Sequence, residues 1–227
     1  MGIESYSFNI LDSILLPPPG QNGEEGERNM GQKLATKVLS RLGFYPSLLH
    51  NVILARTSER NWYDRIDENV ILGALPFRGM VDELKSQGVT GVVSLNMDFE
   101  LWMFSHGKEG WEKLQIPFLQ LETLDNFEAP SQSKLKEGVD FIMKSNGTTY
   151  VHCKAGRTRS ATLVACYLMQ KNHWTPSQAI SHLTECRPHV FLGRAQLKAI
   201  DTYHENNVCS SKTEESSPII SESSTKT

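Results

Sequence analysis

Hydrophobic and polar positions along the chain switch repeatedly between two periods from residue 61 onward. Val70–Leu75 reads as a strand, and Gly79–Gln87 as a short helix ended by Gly88. Val89–Leu95 is apolar and β-branched, the pattern of a buried strand. Phe99–Leu114 predicts a partly helical stretch, Ile116–Leu121 another short strand, and Glu122–Ala129 a loop. A helix is predicted from Pro130, with Leu135, Val139, Ile142 and Met143 on one face. Thr149–His152 is the last strand. Ser160–Lys171 is apolar nearly all round and predicts a buried helix. The next helix carries its own start signal: Thr175 as N-cap, Pro176 at the first helical position and Gln178 closing a capping box. A final helix covers Arg194–Asn206. Strands alternating with helices predict an α/β fold, one domain with a central, mostly parallel sheet flanked by helices.

The flanks differ from this domain, assigned to residues 61–206. Residues 1–29 hold Glu4, Asp12, Glu24, Glu25 and Glu27 against Arg28 alone, with three prolines, and read as an acidic flexible extension. Residues 30–60 open with a basic amphipathic segment: Leu34, Val38, Leu39 and Leu42 share a helical face flanked by Lys33, Lys37 and Arg41. That pattern suits an interfacial anchor or a targeting sequence, and equally a surface helix packed on its own domain. An acidic leader makes a poor transit peptide, so initiation at Met30 is an expectation of this reading. Residues 207–227, rich in Ser, Thr and Lys, read as a disordered tail.

Composition narrows the function. The 227 residues carry a net charge of −3, which argues against a general nucleic-acid binder. Cys153, Cys166, Cys186 and Cys209 lie 13, 20 and 23 residues apart, with no metal-binding CxxC pair. No metal and no cofactor are expected. Apolar runs are too short to span a bilayer.

One segment carries chemistry. The strand ending at His152 runs into Cys153–Lys154–Ala155–Gly156–Arg157–Thr158–Arg159–Ser160 and then into a helix. A turn of this length lets successive backbone N–H groups converge on one point, and the helix start adds positive potential there. That field favours a thiolate at Cys153. Gly156 permits the tight curl, and the Arg159 guanidinium can grip two phosphoryl oxygens. The alternative is a buried structural cysteine beside a solvated basic turn. The segment matches the HCxxGxxR[S/T] pattern and so resembles the protein tyrosine phosphatase superfamily. The resemblance implies Cys153 as nucleophile, Arg159 as phosphate clamp, and Lys154, Ala155, Gly156, Arg157, Thr158 and Ser160 as the substrate-binding loop. It gives Ser160 the task of stabilising the departing thiolate, and His152 that of supporting the loop.

A carboxylic acid is then required to protonate the leaving oxygen. Asp125 follows a strand and stands 28 residues before Cys153, where the superfamily places its acid. No Trp-Pro-Asp is present, and Asp125 could instead cap a turn or the helix after Pro130. Glu122 and Glu128 are the other candidates.

Phe44–Leu49, Asn61–Asp67, Ile71–Pro76 and the loop itself are similar to the mitochondrial protein tyrosine phosphatase-like phosphatidylglycerophosphate phosphatases. The similarity covers roughly residues 40–206, and Ser224–Thr227 are also alike. It implies hydrolysis of the terminal phosphate of an anionic phospholipid, phosphatidylglycerophosphate, at the matrix face of the mitochondrial inner membrane, with peripheral membrane contact. A dual-specificity protein phosphatase on the same scaffold is the alternative. Lys154, Arg157 and Arg159 put three cations in one loop, which suits a substrate with more than one phosphate; the plainer alternative is that two of them serve solubility. Asn96–Glu100 resembles the family's acidic loop: Asp98 and Glu100 either order Arg159 and its loop or cap the following helix. Two departures stand out, Thr158 where the family has serine and Arg194 displaced by one position before Gln196–Leu197.

Overall fold

The computed structural model describes residues 44–53, 60–124 and 128–209. Among them, β1 (Tyr63–Arg65), β2 (Val70–Gly73), β3 (Val89–Ser94), β4 (Phe118–Gln120) and β5 (Thr148–His152) form one sheet in the order β1-β2-β5-β3-β4. Only the edge pair β1–β2 is antiparallel; β2–β5, β5–β3 and β3–β4 run parallel. Strands β2 and β5 are buried along their whole length, which is why they read as continuous apolar runs rather than alternating ones.

Helices cover both faces. The first, α1, spans 44–53. Then follow α2 (Val81–Ser86), α3 (Asp98–Leu101), α4 (Lys108–Lys113), α5 (Gln132–Lys144), α6 (Arg159–Asn172), α7 (Pro176–Cys186) and α8 (Arg194–Tyr203), the last continuing as wider turns through His204–Cys209. The larger core lies between the sheet and α5–α8, joining Leu72, Val93 and Val151 to Leu135, Leu163, Leu183 and Ile200. A second core on the opposite face packs Ile71, Val92 and Tyr150 against Leu84 of α2 and Trp111 of α4. Phe44 and Leu48 bury α1 against Leu75 and Leu101. The acidic extension, the amphipathic face at Leu34–Leu42, Asp125 and residues 210–227 of the tail lie outside the described residues, whereas residues 207–209, read as the start of a disordered tail, continue the last helix because Val208 is buried in the larger core.

Several boundaries differ from the sequence reading for local reasons. Helix α5 starts at Gln132, not Pro130, because Ser131 is the N-cap and its side chain accepts from the Lys134 N–H. Met143 is half exposed, and Gly138 takes its place in the buried stripe with Leu135, Val139 and Ile142. The stretch Phe99–Leu114 resolves into two short helices, α3 and α4. Strand β2 stops at Gly73 because the next amides turn away: Ala74 N donates to Trp62 O and Leu75 N to Lys154 O. The Thr175–Gln178 capping box that opens α7 is present as read.

Parallel pairing places the carboxyl ends of β2, β5, β3 and β4 on one edge of the sheet. In open α/β sheets this edge is where ligands bind. Here it gathers Gly73, Cys153, Leu95 and Leu121 around the start of α6.

Candidate active site

Residues 153–159 curl between β5 and α6, and the carbonyls of residues 154–158 each have a partner outside the curl. Lys154 O accepts from Leu75 N (3.3 Å), Ala155 O and Gly156 O from the Arg187 guanidinium (3.3 and 2.8 Å), Arg157 O from Phe191 N (2.9 Å) and Thr158 O from Thr162 N (2.9 Å). In a trans peptide the following N–H points opposite to the carbonyl. The amides of residues 155–159 therefore turn to the inner side of the curl. The Cys153 thiol sits at the base of this ring, 3% exposed, and accepts a hydrogen bond from Ser160 Oγ at 3.1 Å.

Gly156 is a steric requirement. Its φ is +64°, and a Cβ there would fall 2.4 Å from the Gly73 carbonyl carbon and oxygen. The curl thus leans directly on the end of β2.

Arg159 is fully buried and completely oriented. Its Nη1 donates to Glu100 Oε2 (2.8 Å), Thr123 O (2.8 Å) and Leu95 O (3.2 Å), and Nη2 to Glu100 Oε1 (3.0 Å). Glu100 also accepts from Met97 N at 2.7 Å, so it closes the N-terminus of α3 while it holds the arginine. Its neighbour Asp98 does neither. Asp98 is exposed and accepts from Gln120 Nε2 (2.9 Å), and its own N–H donates to Glu122 Oε1 at 3.2 Å. Burial first, then the adjacent Asp98 carboxylate, raises the Glu122 pKa. Glu122 is nevertheless turned toward Asp98, and Glu128 is exposed.

His152 is buried behind the loop. Burial, helped by the charge of Arg159, pushes its pKa down to about 3, so the ring is neutral at neutral pH. A ring in that state packs the loop and moves no proton. Burial likewise raises the pKa of the Cys166 thiol within α6, which leaves it an inert apolar side chain.

The cleft above the loop is lined by Cys153, Lys154, Ala155, Arg157, Thr158 and Arg159, with Ser47, His50 and Asn51 of α1 on one wall and Phe191 at the rim. Lys154 Nζ stands 5.8 Å from the centre of the Phe44 ring, which ties the loop to α1. Gly156 and Ser160 lie behind and beneath the loop rather than in the cleft. No group of side chains suited to a metal ion occurs among the described residues.

Arg187 was invisible to sequence reasoning. It is 1% exposed, and besides the two loop carbonyls it contacts Asn61 O, Trp62 O and the Asp64 carboxylate. It stands 34 residues after Cys153, and only the fold reveals that it braces the outside of the curl. The walls contributed by α1 were equally unreadable, since their residue types are ordinary.

Residues 71–206 match the family described as dual specificity phosphatase, catalytic domain. The chain belongs to that family. It is a cysteine-dependent phosphatase, and relatives narrow the branch. The mouse phosphatidylglycerophosphatase and protein-tyrosine phosphatase 1 is 38% identical over 174 residues, which span 74% of this chain and 90% of the relative. The Arabidopsis thaliana phosphatidylglycerophosphate phosphatase PTPMT1 is 41% identical over 173 residues, 74% of this chain and 50% of the plant protein. Among solved structures, PTPMT1 in complex with PI(5)P superposes with a TM-score of 0.65 at 35% identity, covering 66% of this chain and 99% of that one.

Proposed function

We propose that this phosphatase removes the terminal phosphate of phosphatidylglycerophosphate, giving phosphatidylglycerol for cardiolipin synthesis, through a cysteinyl-phosphate intermediate on Cys153. In the first step the Cys153 thiolate attacks phosphorus, and the bond from phosphorus to the glycerol oxygen breaks. Asp125 gives its proton to that oxygen. In the second step water attacks the cysteinyl phosphate while the Asp125 carboxylate takes a proton from it. The sulfur–phosphorus bond breaks, inorganic phosphate leaves, and Ser160 Oγ–H receives the returning thiolate. The inward amides and the Arg159 fork stabilise the equatorial oxygens in both steps.

The observation that carries this reading is the arrangement at Cys153: a buried thiol bonded to Ser160, at the start of a loop whose carbonyls at 154–158 are engaged from outside, beside an arginine fixed by Glu100. Support for Asp125 comes from its neighbours. The Thr123 carbonyl is tied to Arg159, and beyond the acid the Glu128 carbonyl accepts from the buried Gln196 side chain at 3.0 Å. Support for the lipid comes from the names of the relatives, from a neighbour solved with PI(5)P, and from the cations of the loop.

A lipid substrate places the enzyme at a membrane, and we extend the proposal to peripheral contact at the matrix face of the mitochondrial inner membrane. No helix among the described residues is long and apolar enough to cross a bilayer. Leu49 and Ile53, one turn apart on α1, are 61% and 49% exposed, and Phe191 at the cleft rim is 53% exposed. These side chains stand next to a cationic cleft, the combination that binds an anionic lipid surface.

Because the mouse relative is also named a protein-tyrosine phosphatase, a protein substrate is the second reading. Turnover of phosphatidylglycerophosphate in mixed micelles, measured against phosphotyrosyl peptides at equal enzyme, separates the two. The lipid is expected to be the better substrate; hydrolysis of peptides with an inert lipid would reverse the assignment.

A further inference from the structure

Behind Arg157 lies a second hollow. It is lined by Asn51, Arg60, Asn61, Trp62, Ala74, Ala155, Arg157, Arg187 and His189, and it shares Asn51, Ala155 and Arg157 with the main cleft. Its volume is about 20 Å³, room for one oxygen of an anion but not for a sugar ring.

The charges around it do not balance. Arg187 is neutralised by Asp64. Among the described residues no Asp or Glu lines the hollow or pairs with Arg60 or Arg157. The Arg157 side chain is fixed from the protein side, with Nε donating to His189 O at 2.9 Å. Burial and the nearby Arg60 and Arg187 charges all disfavour its cation and hold its pKa below the usual guanidinium range. Burial, together with Arg187, pushes His189 down to about 4, so at neutral pH that ring offers a hydrogen bond rather than another charge. Crowded guanidinium groups at a small hollow are relieved by an incoming anion.

We propose that this hollow is a second anion subsite. It takes an oxygen of the phosphodiester of a lipid headgroup while the phosphomonoester of the same headgroup occupies the loop above Cys153. Arg157 bridges the two cavities, Arg60 supplies the second charge, and Asn51 and His189 supply neutral polar groups. The subsite rests on the lipid reading above and deepens it: it selects substrates in which a phosphodiester stands one glycerol away from the scissile phosphate. A monoester without that diester would fill only the first cavity.

Soluble headgroups remove the membrane from the test. With the full chain, kcat/KM is compared for glycerophosphoglycerol phosphate, which carries both groups, and for glycerol 3-phosphate, which carries the monoester alone. Wild-type protein is expected to prefer the first. Arg60→Gln is expected to lower that preference about tenfold, the scale of one charge-assisted contact, chiefly through KM, with Arg60→Lys retaining most of it. The subsite is overturned if wild-type protein shows no preference, if Arg60→Gln leaves the preference intact, or if both substrates suffer equally. Failure of the lipid reading looks different: wild-type protein would leave phosphatidylglycerophosphate in detergent micelles intact while cleaving phosphotyrosyl peptides.

Discussion

Arg159 and Glu100 form a pair with side chains only 2% and 1% exposed, joined at 2.8 and 3.0 Å. Pairs of this kind matter less for net stability than for fixing a geometry, but breaking one strands a buried charge. Glu100→Gln is therefore expected to cost roughly 3 kcal/mol in urea unfolding and to lower kcat, since the fork loses its aim. Full stability in that variant would show that the two backbone carbonyls suffice. The acid is tested separately. Asp125→Ala is expected to slow alkyl phosphates far more than activated aryl phosphates, because a phenolate leaves without a proton; equal losses on both would remove Asp125 from the role. At this scale the sequence was informative where chemistry is local. Cys153, Arg159 and Ser160 could be read from one octapeptide. Asp98 and Glu100 could not be told apart there, because only the approach of β3 to the loop decides which carboxylate reaches the arginine.

Among the elements, the phosphate loop is shaped from outside. Its carbonyls are engaged by Leu75 just beyond β2, by α6, by Arg187 and by the segment at Phe191, and Gly156 rests on Gly73. Gly156→Ala combines a disfavoured φ with a backbone clash, so the ring of amides must open. The expected result is loss of vanadate inhibition together with at least a hundredfold fall in kcat/KM, about 2.7 kcal/mol in the transition state; tight vanadate binding in that variant would show that the curl tolerates a side chain. On the opposite wall, α1 turns Ser47, His50 and Asn51 to the cleft and leaves Leu49 and Ile53 exposed. The double substitution Leu49→Asp and Ile53→Asp is expected to weaken binding to anionic vesicles while soluble substrate is still turned over; unchanged vesicle binding would move the membrane contact elsewhere. Helix α6 was legible from its long apolar run and α7 from its capping box. Strand β1 was not, since its three residues, Tyr63–Arg65, are held at the sheet edge by tertiary pairing rather than by any period of their own.

Across the whole molecule, the parallel sheet and the burial of its carboxyl edge have a consequence for acid stability. His152 is neutral in the folded protein, with a pKa near 3, and returns to its ordinary value of about 6.5 on unfolding. Between those values the unfolded chain binds more protons, so stability is complete above about pH 6.5 and falls as the pH drops toward 3. From pH 7 to pH 5 this group alone contributes a loss of about 2 kcal/mol. His189, with its pKa lowered to about 4, acts in the same direction. Urea unfolding at the two pH values checks the sign, and His152→Asn is expected to flatten the dependence; an unaltered slope would mean that the ring is not buried neutral. The mixed sheet and its helical layers followed from the alternation of patterns along the chain. The order of strands did not, because pairing in space leaves no trace in the spacing of strands along a sequence.

Catalysis through Cys153 requires a covalent bond between its sulfur and phosphorus. Rapid quenching of turnover on radiolabelled phosphatidylglycerophosphate, followed by peptide mapping, measures that bond directly. Label is expected on the peptide containing Cys153 in the wild-type protein, in greater amount in the Asp125→Ala variant with an activated aryl phosphate, and nowhere in Cys153→Ser. Label on another residue, or steady turnover by Cys153→Ser, would rule out Cys153 as the nucleophile.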